Sequence, residues 1–209
     1  MIITKINQQK RNLDNENIFL DEKYWISLSK TQLINFSLFK GKEINNVEKL
    51  DLEKASTLNK IIFKVQSLIL RRPRSEKEIH GYLRYKQNLS EEELKTAIHL
   101  SKEKNYINDE SFTEWFIKQR LEFGLSGDNK IKSELIKKGI TSAIITKTLK
   151  RLINDENELL ERREERLKEE IIKLKTQFDK LDLWKMKEKI FRRLLSRGFS
   201  YDEIKGNFE

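Results

Sequence analysis

Cysteine is absent from the 209 residues, and there are only one proline, two histidines and seven glycines. Without cysteine there is no disulfide framework and no thiolate zinc site, which fits a reducing, cytoplasmic setting. His80 and His99 are too few to build a histidine metal cluster. So few turn formers argue against a sandwich or barrel and predict a mainly helical chain. The glycines are scattered, so no phosphate-cradling loop is expected. Long apolar runs are missing too. The opening Met1-Ile2-Ile3-Thr4-Lys5 is not expected to act as a signal peptide. The most apolar segment, 61–70, is short and carries Lys64, so no membrane span is expected.

What is present is charge. Lys and Arg number 43 against 34 Asp and Glu, a formal surplus of +9. Charged and hydrophobic residues each make up 37%. That balance suits thin helical layers with large solvated faces. A cationic surplus points to an acidic partner, either nucleic acid or a negative protein surface.

Residues 2–10 and 18–28 are the strand candidates, rich in β-branched and aromatic side chains, with Asp21-Glu22-Lys23 reading as a turn. They predict a sheet of two or three short strands leaning on later helices. A helix over 29–39 ended by Gly41, and a short helix over 45–51, should follow. From Leu52 the chain reads as helix, with Leu58, Ile62, Val65 and Ile69 as a stripe and Pro73 ending it near Arg71. Ser75 with Glu78 and Ser90 with Glu93 are capping-box patterns. The stretch 105–124 reads as a helix end, a tight turn and a new helix capped by Asn108 or Asp109. Phe112, Trp115, Phe116 and Gln119 share its face, Leu121 and Phe123 close that face, and Gly124 is expected as a left-handed stop.

A spacing recurs. Ile79 and Leu83 are followed by Leu89, the cap Ser90 and Leu94. Ile131 and Leu135 are followed by Gly139-Ile140, the cap Thr141, and Ile144-Ile145. Ile190 and Leu194 are followed by Gly198-Phe199, the cap Ser200 and Ile204. The first copy has one extra residue, and Asn88 stands where the others have glycine. Each copy is preceded by a helix, over 52–70, 110–123 and 156–181. Three units of three helices result, with a period of about 50 to 60 residues and bending expected between units. The expected divisions are 1–51, 52–107, 108–153 and 154–209. Leu160, Leu167, Ile171, Leu174, Phe178 and Leu181 form a seam on the helix over 156–181, with Glu158/Arg162, Glu164/Lys168 and Glu169/Lys173 as pairs four apart. That seam fits a stripe packed in its own unit better than a coiled-coil dimer.

No catalytic constellation is found, and no cofactor or metal site is expected. His80 and His99 read as ordinary helix residues, and the abundant carboxylates as solvated faces. The basic residues recur instead, as Arg71-Arg72-Pro73-Arg74, Arg84-Tyr85-Lys86, Lys137-Lys138, Lys150-Arg151 and Arg192-Arg193 with Arg197. If the units stack in series, these faces form a positive track for a phosphate backbone or an acidic groove.

Several motifs in fixed order resemble the RecX family of regulatory proteins. Arg72-Pro73-Arg74-Ser75-Glu76-Lys77-Glu78-Ile79 is similar to its R-R-P-R-S-E-x-E-L opening. Asn105-Tyr106-Ile107-Asn108-Asp109-Glu110-Ser111-Phe112 resembles G-Y-[IL]-[DN]-D-x-x-[FY], with Asn105 replacing the usual glycine. Arg120 to Gly124, Lys138-Gly139-Ile140 and Arg197-Gly198-Phe199 resemble later family segments. Asp21-Glu22-Lys23 lacks the usual hairpin glycine, and Gly124-Leu125-Ser126-Gly127 is less basic than its counterpart. The resemblance implies a mainly α protein of three tandem three-helix repeats, elongated and curved, with a small N-terminal β-hairpin and short-helix extension. It implies a monomer that binds the RecA recombinase filament in its helical groove, touching DNA directly or through the filament. It implies restraint of ATP hydrolysis, filament growth and strand exchange, by binding alone. Arg72, Arg74, Lys118, Arg120, Lys137, Lys138, Arg192, Arg193 and Arg197 are the expected partner contacts. The competing readings are an independent DNA-binding helical module and, third, a metal-dependent nuclease.

Overall fold

The β-branched and aromatic residues near the amino terminus favour extended backbone. In the computed structural model, which describes residues 1–10, 13–87, 89–155 and 157–208, β1 (Ile3–Gln8), β2 (Asn15–Leu20) and β3 (Lys23–Ser29) form an antiparallel sheet in that order. The β2–β3 connection is Asp21-Glu22, with φ of 46° and 68°. A two-residue hairpin of this hand needs left-handed backbone, usually supplied by asparagine and glycine. Hydrogen bonds offset the cost here. Asp21 Oδ1 accepts from the Ile2 amide at 2.8 Å, and the Glu22 amide donates to Thr4 Oγ1 at 3.0 Å. The outer edge of β1 is covered: the Ile3 amide donates to the Lys42 carbonyl at 3.0 Å, and the Gly41 amide to the Ile3 carbonyl at 2.8 Å.

Ser29 caps α1 (Lys30–Asn35) in a full box with Gln32. This helix stops at Ser37, not at the expected Gly41. Ser37 has φ 48°, and its amide and that of Leu38 close back on the Ile34 and Leu33 carbonyls at 3.0 and 2.9 Å. Leu33 and Leu38 both pack into the sheet's core, which pulls the chain around early. Asn45 and Glu48 then cap α2 (Asn46–Ile69). The separate helix expected over 45–51 is therefore the start of one long helix, since neither glycine nor proline lies within 46–69. α2 buries Leu52, Ser56, Ile61, Ile62 and Val65, whereas Leu58 and Ile69 of the expected stripe are only half-buried. Trp25 Nε1 donates to Glu53 Oε1 at 2.8 Å, and Ser56 Oγ to the Ser27 carbonyl at 2.9 Å, fastening α2 to β3. After α3 (Glu76–Gln87), Ser90 and Glu93 form the expected box on α4 (Glu91–Glu103). Ser75 accepts from the Glu78 amide at 3.2 Å, but the Glu78 carboxylate turns elsewhere, so the other expected box is half made. The expected stop at Asn88 and helix start at Glu156 lie outside the described residues.

Contacts divide the chain into one unit of 1–71 with 82–106 and another of 72–81 with 107–209. In the second, α5 (Asp109–Phe123), α6 (Asp128–Lys137) and α7 (Ser142–Asp155) enclose Phe112, Phe116, Ile117, Leu121, Ile131, Leu135, Ile145 and Leu149. α8 (Asn157–Gln177), α9 (Leu183–Ser196) and α10 (Tyr201–Phe208) enclose Leu167, Ile171, Leu174, Ile190, Leu194, Phe199 and Ile204. Leu167, Ile171, Leu174 and Phe178 of the expected seam thus turn into this cluster, whereas Leu160 packs against the α5–α7 cluster and Leu181 lies beyond α8. Bending between these two triplets is opposed at their junction. The Gly127 amide donates to the Arg197 carbonyl at 2.9 Å, and the Asn129 amide to the Gly198 carbonyl at 3.1 Å.

Helix ends follow local chemistry closely. α4, α6 and α9 each close on a left-handed residue, Asn105 at φ 54°, Gly139 at 88° and Gly198 at 85°. Asn108 caps α5 by accepting from the Ser111 amide at 3.0 Å, while Asp109 reaches back to accept from the Glu76 amide at 2.8 Å. Gly124 ends α5 in extended backbone, φ −122° and ψ 154°, not the expected left-handed form. An extended exit delivers Leu125 to the cluster of α8–α10. Phe123, expected to close the apolar face, is 73% exposed, and Ile117 is fully buried instead.

Glycine chemistry gives a stability prediction. Gly81 lies inside α3 with nothing within 4 Å of an added Cβ, so Gly81→Ala should stabilise by about 0.5–1 kcal/mol. Ser37→Gly should stabilise by about 0.5–1 kcal/mol through relief of left-handed strain. At Gly198 a Cβ would lie 2.3 Å from the Lys130 amide nitrogen; Gly198→Ala should therefore cost about 2 kcal/mol or more. Urea midpoints at unchanged m-value are the readout.

Candidate cationic interface

One gathering of cations in the second unit is built around one carboxylate and one ring. Glu78, in the first turn of α3, receives two hydrogen bonds from Arg72, at 3.0 Å (Nη1 to Oε2) and 3.3 Å (Nη2 to Oε1). Lys138, at the end of α6 and sixty positions away, donates to Glu78 Oε1 at 2.6 Å. Burial alone pushes the Glu78 carboxyl up; the hydrogen bonds and charges of Arg72 and Lys138 outweigh it and hold it below the usual carboxylate range. Lys77 Nζ donates to the Lys137 carbonyl at 3.0 Å, satisfying a helix-end carbonyl of α6. The Phe116 ring carries Arg120 at 4.8 Å and Lys138 at 5.7 Å from its centroid, and Trp115 carries Arg72 at 6.0 Å. Arg120 Nε also donates to Glu134 Oε2 at 2.7 Å.

Similar pairing recurs nearby. Glu114 binds Lys118 at 3.2 Å and also Arg151. Burial raises the Glu114 pKa, and those two cations more than reverse it, leaving it lowered. On α9, Arg197 reaches Glu170 at 2.9 Å, Arg193 approaches the same oxygen at 4.0 Å, and Arg192 pairs with Glu188. Arg163, with a side chain only 11% exposed, bridges Asp128 at 3.2 Å and Glu203 at 2.9 Å and lies 5.2 Å from the Phe199 ring centroid.

All nine expected contact residues therefore fall in the second unit, in distinct settings. Arg72, Arg120 and Lys138 meet around Glu78 and Phe116. Lys118 stands beside Glu114. Arg192, Arg193 and Arg197 share α9. Lys137 is exposed at the end of α6. Arg74 is half-buried, with its Nε lacking a hydrogen-bond partner among the described residues. Sequence reasoning missed Glu78 and Glu170 as hubs and Arg163 as a bridge. Only the density of charge hinted at them, because their partners are remote in the chain. Among the described residues no group of His, Asp and Glu could hold a metal ion, and His99 sits exposed beside Glu103 at 3.4 Å. No helix among them is long and apolar enough to cross a membrane.

Fold and surface together define a class: a mainly helical protein with a small amino-terminal sheet, displaying cations ordered by carboxylates and rings. Comparison narrows that class to a family. Residues 1–45 match the regulatory protein RecX N-terminal domain, and residues 108–149 match the second three-helix domain of RecX. A Regulatory protein RecX from Listeria welshimeri is 32% identical over 98% of this chain and 74% of its own length. Another, from Clostridioides difficile, is 32% identical over 98% of this chain and 92% of its own. A crystal structure of regulatory protein RecX superposes with TM-score 0.77 at 24% identity, covering 98% of both chains. That of RecX from Lactobacillus salivarius gives 0.61 at 25% identity, over 72% of this chain and 93% of its own. The chain belongs to the RecX family of regulatory proteins.

Glu78→Gln should test the hub. Removing the charge leaves Arg72 and Lys138 facing a neutral, half-enclosed amide, at a cost of about 1–3 kcal/mol at neutral pH. The folded state holds the Glu78 carboxylate below its ordinary value of 4.5. Its contribution is therefore complete above that value and is lost as pH falls through the lowered one. Urea unfolding of both proteins should show a gap at pH 7 that closes in acid.

Proposed function

We propose that this chain binds the RecA recombinase filament in its helical groove and restrains its ATP hydrolysis, extension and strand exchange, without chemistry of its own. The single observation behind the proposal is kinship over 98% of the chain with proteins named Regulatory protein RecX. Its surface chemistry fits: ordered cations favour an acidic assembly of protein and nucleic acid. In this reading the protein acts as a cytoplasmic monomer. Its repeats, near 52–107, 108–153 and 154–209, present the cations in series, the first beginning within α2. Support for the repeats lies in the recurring pairs Ile79/Leu83, Ile131/Leu135 and Ile190/Leu194, all fully buried.

The nine expected contacts divide by role. Arg72, Arg120, Lys138 and Arg197 hold the fold through carboxylates and present only part of their charge outward. Lys137 and Arg192 are exposed and offer theirs at little structural cost. Arg74, Lys118 and Arg193 complete the surface.

The test is RecA ATP hydrolysis on single-stranded DNA, titrated with this protein. Wild type should lower the rate. The double variant Lys137→Glu/Arg192→Glu should fold normally and need about tenfold more protein for equal inhibition, since like charges facing an acidic surface repel. Equal potency would reject the assignment of these two residues. Wild type without effect on the filament would reject the function itself.

A further inference from the structure

One face of the α8–α10 triplet is not explained by packing. Trp184 and Tyr201 are 71% and 55% exposed, and Leu195 is 46% exposed. They line an open groove between α9 and α10 of roughly 490 Å³, floored by Phe191 and rimmed by Lys187 and Arg192. Phe191 and Tyr201 meet at 5.1 Å between centroids, so the two rings brace one another. Tryptophan at such exposure loses contact area that a core position would give it. The α9 sequence places Trp184, Lys187, Phe191 and Leu195 along one face by the three-and-four spacing.

The charge lining this groove leans positive, with Lys187 and Arg192 against Glu188. α9 carries five lysines and arginines against one glutamate. That glutamate, Glu188, is already matched by Arg192 in an exposed pair, which contributes little and exchanges readily. Lys187 has no carboxylate partner among the described residues. Its Nζ lies 5.7 Å from the Phe191 centroid and 5.6 Å from that of Phe208, so rings order it while leaving its charge uncompensated. Exposed ring faces flanked by uncompensated cations are what stack bases and meet phosphates in sequence-tolerant single-strand binding.

We propose that the α9–α10 groove binds single-stranded nucleic acid, with Trp184 and Tyr201 stacking on unpaired bases and Lys187 and Arg192 meeting the flanking phosphates. The groove presents flat ring faces on its walls, whereas its floor ring Phe191 is only 7% exposed. A protein anchor needs a deep apolar floor, and a base needs a face; that difference favours nucleic acid.

The experiment needs no recombinase, so its outcome is separate from that of the filament proposal. Fluorescence anisotropy of a labelled oligothymidylate is titrated with the full chain at low salt, beside an abasic oligonucleotide of equal length and charge. Wild type should bind the thymidylate about tenfold more tightly than the abasic strand, the range expected for one or two stacked bases. Trp184→Ala should remove most of that preference, and Trp184→Phe should keep most of it. Lys187→Glu should weaken both ligands and flatten the salt dependence. These positions are at the surface, and matching thermal melts would establish that the variants fold. Equal affinity for the two strands, or unchanged preference in Trp184→Ala, would overturn the proposal. So would loss of a protein partner in Trp184→Ala with nucleic-acid binding intact.

Discussion

Two backbones touch where Gly127 meets the turn at Gly198, and the second unit depends on that approach. A Cβ at Gly127 would lie 2.1 Å from the Gly198 carbonyl carbon and the Phe199 nitrogen. No side chain of any shape fits, so contact is backbone to backbone. The α6 helix has no side-chain cap; the α9–α10 turn takes that role through its carbonyls. Gly198 is left-handed because it ends α9, and its carbonyl is free to turn outward for the same reason. Helix stop and triplet junction are thus one piece of chemistry. Arg163 locks it from the side by joining Asp128, in the first turn of α6, to Glu203 of α10.

That junction also sets where cations can stand. The Arg197 carbonyl accepts from the Gly127 amide, and its guanidinium donates to Glu170. Its backbone is held by the start of α6 in the preceding triplet and its side chain by α8 of its own. Exposed ion pairs such as Glu158 with Arg162 contribute about 0–1 kcal/mol and serve mainly as a solvated surface. Half-buried hubs behave differently. With the Glu78 side chain 19% exposed, losing the carboxylate strands two cations, so the hub resists being unmade. A cation already ordered by such a hub loses less side-chain entropy when a partner arrives.

Periodicity carried most of the fold. The apolar pairs four apart on α3, α6 and α9 are all fully buried, and the glycines after two of those helices take positive φ. These features are local: an apolar stripe and a left-handed stop are written within a dozen residues. Three failures share a different cause. Phe123 faces solvent because Ile117 fits the packing of α5 better; Gly124 extends to deliver Leu125; Ser37 stops α1 because Leu38 must reach the sheet. Each depends on what another element demands. The candidate site was legible as a list of cations, not as an arrangement. Nothing in the sequence joins Lys138 to Glu78 sixty residues earlier, or Arg163 to Glu203 forty residues later.

Net charge alone sets a weak limit on recognition. At about 0.15 M salt the screening length is about 8 Å, so a surplus of +9 is felt only near contact. Selectivity among acidic surfaces must come from the spacing of fixed cations, and this chain fixes them in two ways with opposite electrostatic results. A carboxylate orders a cation and cancels it, as Glu170 does for Arg197. A ring orders a cation and leaves its charge intact, as Phe191 and Phe208 do for Lys187. Around Phe116 both act at once: Arg120 and Lys138 share the ring but each also has a carboxylate. Usable positive field therefore concentrates where aromatic faces replace carboxylates, and that condition is met on α9 rather than at the better-ordered cluster around Glu78.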